Sequence, residues 1–361
     1  MDHKRIYNFS AGPAVLPVKV VEKVRDNLLN FDGCGMGVME LSHRGPQFKQ
    51  IIEDCEANLR ELLGIGSDYA VVFTTGGATN QFSMVPMNLA KADGGAASYV
   101  VTGSWSKKAL AEAKRFTETQ VAGSSEDKNF SYLPKNLDVP QNASYLHFTS
   151  NNTIFGTQYQ NEPDAAGNVL VCDASSDFLH KKLDVSKYGL IYAGAQKNLG
   201  PAGVTIAIIR KDLLERAPES LPKMLDYRTF VEGASLSNTP PAFPIYVVGE
   251  VLKWLKDQGG LDKMEARNRE KAAILYDYID GNDFYAGTAE KESRSVMNVC
   301  FRLKDENLEA EFIKVAGESG FNGLKGHRSV GGVRASIYNA FPKEGVEELV
   351  KFMGQFAEAH S

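Results

Sequence analysis

Lys197 stands in the stretch Tyr192-Ala193-Gly194-Ala195-Gln196-Lys197-Asn198-Leu199-Gly200-Pro201, directly after an apolar run and among small residues. Small neighbours let a planar molecule lie against the backbone, and partial desolvation favours a neutral amine able to form an imine. Taken alone, a lysine after a strand is ordinarily a solvated side chain. A second group alters that reading. Val169-Leu170-Val171-Cys172-Asp173 is an apolar strand ending in an acid, 24 residues before Lys197. Taken alone, such an aspartate is more often a helix cap. An imine-forming amine and a carboxylate at one edge of a sheet are what pyridoxal-phosphate (PLP) chemistry needs. The acid keeps the pyridine nitrogen protonated, and the ring can then accept electrons. Asp173 and Lys197 are therefore read together as the catalytic pair.

Other segments could complete such a site. Thr75-Gly76-Gly77-Ala78-Thr79-Asn80 joins a strand to a helix, where free backbone N–H groups and hydroxyls make an anion site. It has neither the G-x-G-x-x-G spacing nor the Walker lysine, and glycine turns are often purely structural. Trp105, after the next strand, could stack on a pyridine ring, although buried tryptophan is more often core. Thr153 could donate to the ring's phenolic oxygen, and Asn238-Thr239 could add phosphate contacts.

These groups need a scaffold. From about residue 70 to 210, β-branched runs alternate with helix-like stretches. Strands are expected over 71–74, 98–102, 145–148, 169–172, 190–193 and 204–209, with helices near 81–89 and 107–114. Nearly continuous apolar strands separated by helices predict an α/β fold with a mostly parallel sheet covered on both faces. Ligands of such sheets lie at the carboxyl ends of the strands. A Pro- and Ser-rich break spans 215–245, followed by a helix over 246–255 that ends at Gly259-Gly260. Beyond it, helices over 264–279, 308–319 and 346–359 and strands over 296–303 and 334–337 predict a smaller C-terminal α/β domain. The expected division is a large domain over 15–258 and a small one over 259–361 together with 1–14.

Composition narrows the class. The 361 residues are 43% hydrophobic and 24% charged, ordinary for a globular chain, and the net charge of -5 argues against a nucleic-acid binder. Cys34, Cys55, Cys172 and Cys300 are scattered, with no C-x-x-C pair and no histidine at metal-ligand spacing. That fits a reduced compartment and no metal site. The start, Met1-Asp2-His3-Lys4-Arg5-Ile6, lacks the apolar core of a signal peptide, and no apolar run has membrane-spanning length. A cytoplasmic protein is expected.

Across nearly its whole length the chain resembles the phosphoserine aminotransferases, a family of fold-type I, class V PLP-dependent enzymes. The resemblance runs from Asn8-Phe9-Ser10-Ala11-Gly12-Pro13-Ala14 to the C-terminal helix. It is carried by Met39-Glu40-Leu41-Ser42-His43-Arg44-Gly45, Gly194-Ala195-Gln196-Lys197-Asn198 and Ser237-Asn238-Thr239-Pro240-Pro241, and then by Leu324-Lys325-Gly326-His327-Arg328 and Gly331-Gly332-Val333-Arg334-Ala335-Ser336-Ile337-Tyr338-Asn339-Ala340. It implies that Lys197 is the Schiff-base lysine and that Asp173 pairs with the pyridine nitrogen. It also implies that Trp105 stacks on the ring, that Thr153 and Gln196 bind its polar edge, and that Ala78 and Thr79 contact the phosphate. Asn238 and Thr239 would reach the cofactor phosphate of a neighbouring subunit, making a homodimer with shared sites. Ala11 and Thr79 stand where some members carry serine and arginine, which bears on affinity and leaves the Lys–Asp pair untouched.

The cations His43, Arg44, His327, Arg328 and Arg334 point to the substrate. Each alone would be an ordinary surface residue. Together, two His-Arg dipeptides and a third arginine suit phosphoserine, with its phosphate and α-carboxylate, and glutamate, with its two carboxylates. Arg334 is assigned to the α-carboxylate, and His43, Arg44, His327 and Arg328 to the phosphate or the glutamate side chain. The expected reaction is reversible amino transfer between glutamate and 3-phosphohydroxypyruvate, giving phosphoserine and 2-oxoglutarate in serine biosynthesis. The rivals are a related aminotransferase of small amino acids using glyoxylate or pyruvate, which would give these cations nothing to bind, and a non-catalytic phosphate-binding protein. A desulfurase would need a reactive loop cysteine, and Cys172 and Cys300 fall inside expected strands.

Overall fold

The computed structural model describes residues 5–360, so residues 1–4 of the expected N-terminal segment and residue 361 lie outside it. Seven strands form the central sheet: β1 (Tyr69–Thr75), β2 (Ala97–Val101), β3 (Thr119–Ser124), β4 (Tyr145–Thr149), β5 (Leu170–Asp173), β6 (Leu190–Gly194) and β7 (Val204–Arg210). Their order is β1-β7-β6-β5-β4-β2-β3. β7 runs antiparallel to both neighbours, and the other pairs are parallel. All six strands expected from the sequence are present. The seventh, β3, was not expected, because its sequence Thr-Gln-Val-Ala-Gly-Ser lies half-exposed at the sheet edge and shows no apolar run.

Every residue of β2, β4, β5 and β6 is buried. Successive side chains point to opposite faces, and both faces are covered, so apolar residues predominate, with buried Ser98, His147, Thr149 and Asp173 as exceptions. On β1, Val71 and Phe73 enter one core and Val72 the other; on β6, Ile191 and Ala193 join the first, Leu190 and Tyr192 the second. Helices Pro46–Leu63 and Ala242–Asp257 close the first core, and Gln81–Leu89 and Ser104–Ala113 close the second. The Pro- and Ser-rich break holds turns, a short 3-10 helix, Lys223–Leu225, and a short α-helix, Tyr227–Glu232. No helix among the described residues is long and apolar enough to cross a membrane.

A third core, built on Phe301, Phe312 and Met353, surrounds an antiparallel sheet of β8 (Tyr285–Gly287), β9 (Asn298–Leu303) and β10 (Val333–Ser336). Helices Gly260–Asp280, Glu309–Glu318 and Lys343–Ala359 pack on it. The first of these begins four residues before the expected start. Gly259, at φ 92°, turns the chain directly from one helix into the next, a conformation that suits glycine. At the other end of the chain, Tyr7–Asn8 pairs in parallel with Phe321–Asn322.

Helix Gly260–Asp280 also carries a buried cation. Lys271 Nζ donates to the carbonyls of Ile337, Tyr338 and Phe341 at 2.9, 2.7 and 3.1 Å. Burial pushes its pKa down to about 7, while three acceptors favour the ammonium. Lys271→Met would strand three carbonyls and is expected to destabilise the fold by roughly 3 kcal/mol, read as a lower urea midpoint at constant slope. An unchanged midpoint would mean that these carbonyls find other donors.

Candidate active site

The carboxyl ends of β1, β4, β5 and β6 share one edge of the sheet, because antiparallel β7 pairs Val204 with Thr75 and Thr205 with Gly194. Asp173 is the last residue of β5 and is 5% exposed. Its Oδ1 accepts from Ser175 N at 3.0 Å and Ser175 Oγ at 2.6 Å, and no described donor reaches Oδ2. Burial raises the Asp173 pKa, opposed first by the Lys197 charge. One oxygen is thus fixed, and the other is left for a cationic N–H.

Lys197 lies on the turn after β6, where the N–H groups of Leu199 and Gly200 both donate to the Ala195 carbonyl. Its Nζ donates to Thr153 Oγ1 at 3.0 Å and stands 5.3 Å from the centre of the Trp105 ring. The side chain is half-buried, yet desolvation dominates at the amine and lowers its pKa. Asp173 opposes this shift, and the Arg334 charge adds to it. Such an amine is held closer to its neutral, nucleophilic form than a surface lysine. The N-terminal segment covers it: a side chain at Gly12 would lie 3.3 Å from Lys197 Cγ, and Ala14 N donates to Gln196 O at 2.9 Å.

Two loops bring Trp105 and Thr153 to this amine. Asn152 Nδ2 donates to Thr102 Oγ1 and Thr157 Oγ1, both at 3.1 Å, which ties the segment after β4 to the segment after β2. A Cβ at Gly103 would come within 2.7 Å of Asn152 Oδ1, so glycine is required for that approach. Ala78, buried, and Thr79, exposed, open the turn Ala78–Asn80 that leads into helix Gln81–Leu89.

Arg334 lies on β10 and His327 and Arg328 on the loop before it. The His327 pKa is pushed below the usual histidine value, first by burial and then by the cations Arg334, Arg328 and Lys108. None of these four has an acid partner among the described residues. His43 and Arg44 precede helix Pro46–Leu63, and Asn238 and Thr239 precede helix Ala242–Asp257. No described hydrogen bond or ion pair joins any of these four to Lys197 or Asp173, and within one chain Arg44, Asn238 and Thr239 are exposed. The single chain therefore brings together Lys197, Asp173, Thr153, Trp105 and Arg334, with no described bond to the pair from His43, Arg44, Asn238 or Thr239.

Sequence reasoning did not single out Ser175, Asn198 or Lys108. Ser175 stands two residues after Asp173, the spacing of a local turn that bonds a carboxylate. Asn198 donates to Phe178 O at 2.7 Å and accepts from Asn339 N at 2.9 Å, which ties the lysine turn to the segment after β10. Lys108 Nζ lies 4.6 Å from the Trp105 ring centre, one helical turn away on helix Ser104–Ala113, and the i, i+3 spacing was its signal.

The residues present fit PLP. Trp105 Nε1, Gln196 Oε1 and Arg334 Nε are buried with no partner among the described residues, polar atoms that a bound group could satisfy. An aromatic face, an amine held toward its neutral form and a carboxylate with one oxygen fixed are the donor and acceptor set a pyridine aldehyde requires.

The model of the class V aminotransferases matches residues 6–349, and the chain belongs to that family. At the level of single proteins, it is 56% identical over 354 residues to a phosphoserine aminotransferase of Desulfatibacillum aliphaticivorans, covering 98% of each chain. Its identity to a phosphoserine aminotransferase of Listeria innocua is 54% over 358 residues, covering 99% of this chain and 98% of the relative. The solved phosphoserine aminotransferase from Bacillus circulans subsp. alkalophilus superposes with a TM-score of 0.97 at 50% identity, covering 99% of this chain and 100% of that one. The PLP-bound phosphoserine aminotransferase from Trichomonas vaginalis does so at 0.92 and 38%, over 97% and 100%.

Proposed function

We propose that this chain is a PLP-dependent phosphoserine aminotransferase, moving an amino group reversibly between glutamate and 3-phosphohydroxypyruvate in serine biosynthesis. The observation that carries the reading is the Lys197 amine, 3.0 Å from Thr153 and facing buried Asp173, with Arg334 beside it and His327 and Arg328 next to Arg334. A catalytic amine next to cations without acid partners calls for a doubly anionic amino acid. When bound, PLP supplies an aldehyde that condenses with amines and a ring that takes up electrons from Cα.

The chain's own residues do the rest. Lys197 binds the cofactor and carries the proton to and from the substrate Cα as general acid–base. Asp173, oriented by Ser175, holds a proton on the ring nitrogen. Trp105 stacks on the ring, Thr153 and Gln196 bind its polar edge, and Ala78 and Thr79 hold the phosphate. Arg334 takes the α-carboxylate, while His43, Arg44, His327 and Arg328 take the phosphate or the glutamate side-chain carboxylate. Asn238 and Thr239 serve a second subunit's cofactor phosphate, consistent with their exposure and with no described bond from them to the pair in one chain. The reading includes a homodimer, a cytoplasmic location in keeping with four free cysteines, and the division into 15–258 and 259–361 with 1–14, supported by the separate core around Phe301.

The test is the absorption spectrum of the PLP-loaded protein on adding phosphoserine. Loss of the yellow band in favour of the pyridoxamine form supports the reading, and a band indifferent to phosphoserine sinks the substrate. The dimer predicts that an inactive Lys197→Ala chain and an inactive Asn238→Ala/Thr239→Ala chain, mixed and allowed to exchange, regain activity. Mixtures as inactive as their parents would argue for sites contained in one chain.

A further inference from the structure

The loop that carries His327 and Arg328 is a tight hairpin. Lys325 bridges Val333, Gly326 N donates to Gly332 O at 2.9 Å, and the N–H groups of Val330 and Gly331 both donate to His327 O at 2.9 Å. A side chain at Gly326 would collide with the Gly331 carbonyl. Gly332, at φ 68°, lies so close to Arg302 that a Cβ there would come within 2.6 Å of Arg302 Cδ. Glycine permits this path and adds no stiffness of its own.

The stiffness comes from outside the loop. Arg302 on β9 and Glu309, the first residue of helix Glu309–Glu318, form a two-pronged ion pair, Nε to Oε1 at 2.6 Å and Nη2 to Oε2 at 3.3 Å. Each partner also holds the loop: Arg302 Nη1 donates to Val330 O at 3.3 Å, and Glu309 Oε2 accepts from Gly332 N at 3.1 Å. Glu306 takes a further Arg302 contact at 2.6 Å on the exposed side. A strand and a helix thus grip the returning arm of the hairpin through one carbonyl and one N–H. A solvated ion pair serving stability alone would contribute little and would have no need of these two bonds.

We infer that Arg302 and Glu309 are positioning residues that set where His327 and Arg328 meet the distal anion of the substrate, and so tune the preference for phosphoserine over amino acids without one. This rests on the assignment of His327 and Arg328 to that anion. The pair touches neither the cofactor site nor the reacting atoms.

The test uses the PLP-loaded enzyme and single-turnover absorbance, with phosphoserine and with alanine as amino donors. Arg302→Met should raise the phosphoserine concentration for half-maximal rate about tenfold, below the roughly hundredfold that a 1 Å misplacement can cost, and leave the alanine reaction unchanged. Glu309→Gln keeps an acceptor for the Gly332 N–H and should give a smaller shift; it also carries the test if Arg302→Met fails to fold. Amide exchange over residues 326–333 should quicken in Arg302→Met. Equal losses for phosphoserine and alanine, or no change for either, would overturn the inference. Arg328→Ala separates the two ideas. If it collapses the phosphoserine-to-alanine ratio while Arg302→Met does not, only the positioning role fails. If it leaves the ratio intact, the anion assignment fails and takes the inference with it.

Discussion

Lys197→Ala should lower turnover on the order of ten-thousand-fold or more, the upper range for a positioned general acid–base. No neighbour can replace the amine. The other lysine at the Trp105 ring, Lys108, is exposed on its helix, and Thr153 Oγ1 is a hydroxyl with no base beside it. The same variant should still fold, because Nζ makes one hydrogen bond and the turn around it is held by backbone bonds to Ala195. Unfolding by urea and turnover should therefore separate, with the midpoint near that of the parent and the rate near background. Turnover close to the parent rate would remove Lys197 from the reaction.

Phosphoserine should exceed serine in kcat/KM by on the order of ten-thousand-fold, as in sites built around a polar group that the analogue lacks. The reason lies in charge pairing. Surface lysines and arginines here mostly sit beside acids, as Lys107 does beside Glu126 and Arg210 beside Asp212. Lys108, His327, Arg328 and Arg334 do not. Serine would leave those cations without a counter-charge, whereas a phosphate would pair with several at once. Initial rates with each amino donor, at saturating 2-oxoglutarate, decide the matter. A ratio below about tenfold, the value of one modest apolar contact, would assign the cations to another task.

The central sheet was legible because its strands are buried on both faces, which favours nearly continuous apolar runs such as Val204-Thr205-Ile206-Ala207-Ile208-Ile209. β3 was not, since an edge strand answers to solvent on one side. The antiparallel course of β7 also left no mark in its sequence, because burial dictates residue type and says nothing of direction. Within the site, Lys197 and Asp173 could be found from strand ends and residue chemistry. Ser175 had a local signal in its spacing from Asp173, whereas Asn198 and the Asn152–Thr102 link could not be singled out, because a buried hydrogen bond of that kind depends on the partner brought to it across the fold. Arg302 and Glu309 were equally hidden. Their work is done by a carbonyl and an N–H of a loop, groups that every sequence contains.

The pairing of Tyr7–Asn8 with Phe321–Asn322 also has a consequence for synthesis. The first described strand has no partner until the ribosome has passed residue 322. At roughly 5–20 residues per second, that wait is on the order of 15–60 s. Asp173 and Lys197 have left the ribosome well before then, with the central sheet that sets their spacing. The segment that carries Gly12 over the lysine has by then, of its described anchors, only the Ala14 bond to Gln196, and gains the others afterwards, from the last third of the chain. The Lys197 amine is thus set in place early and roofed late.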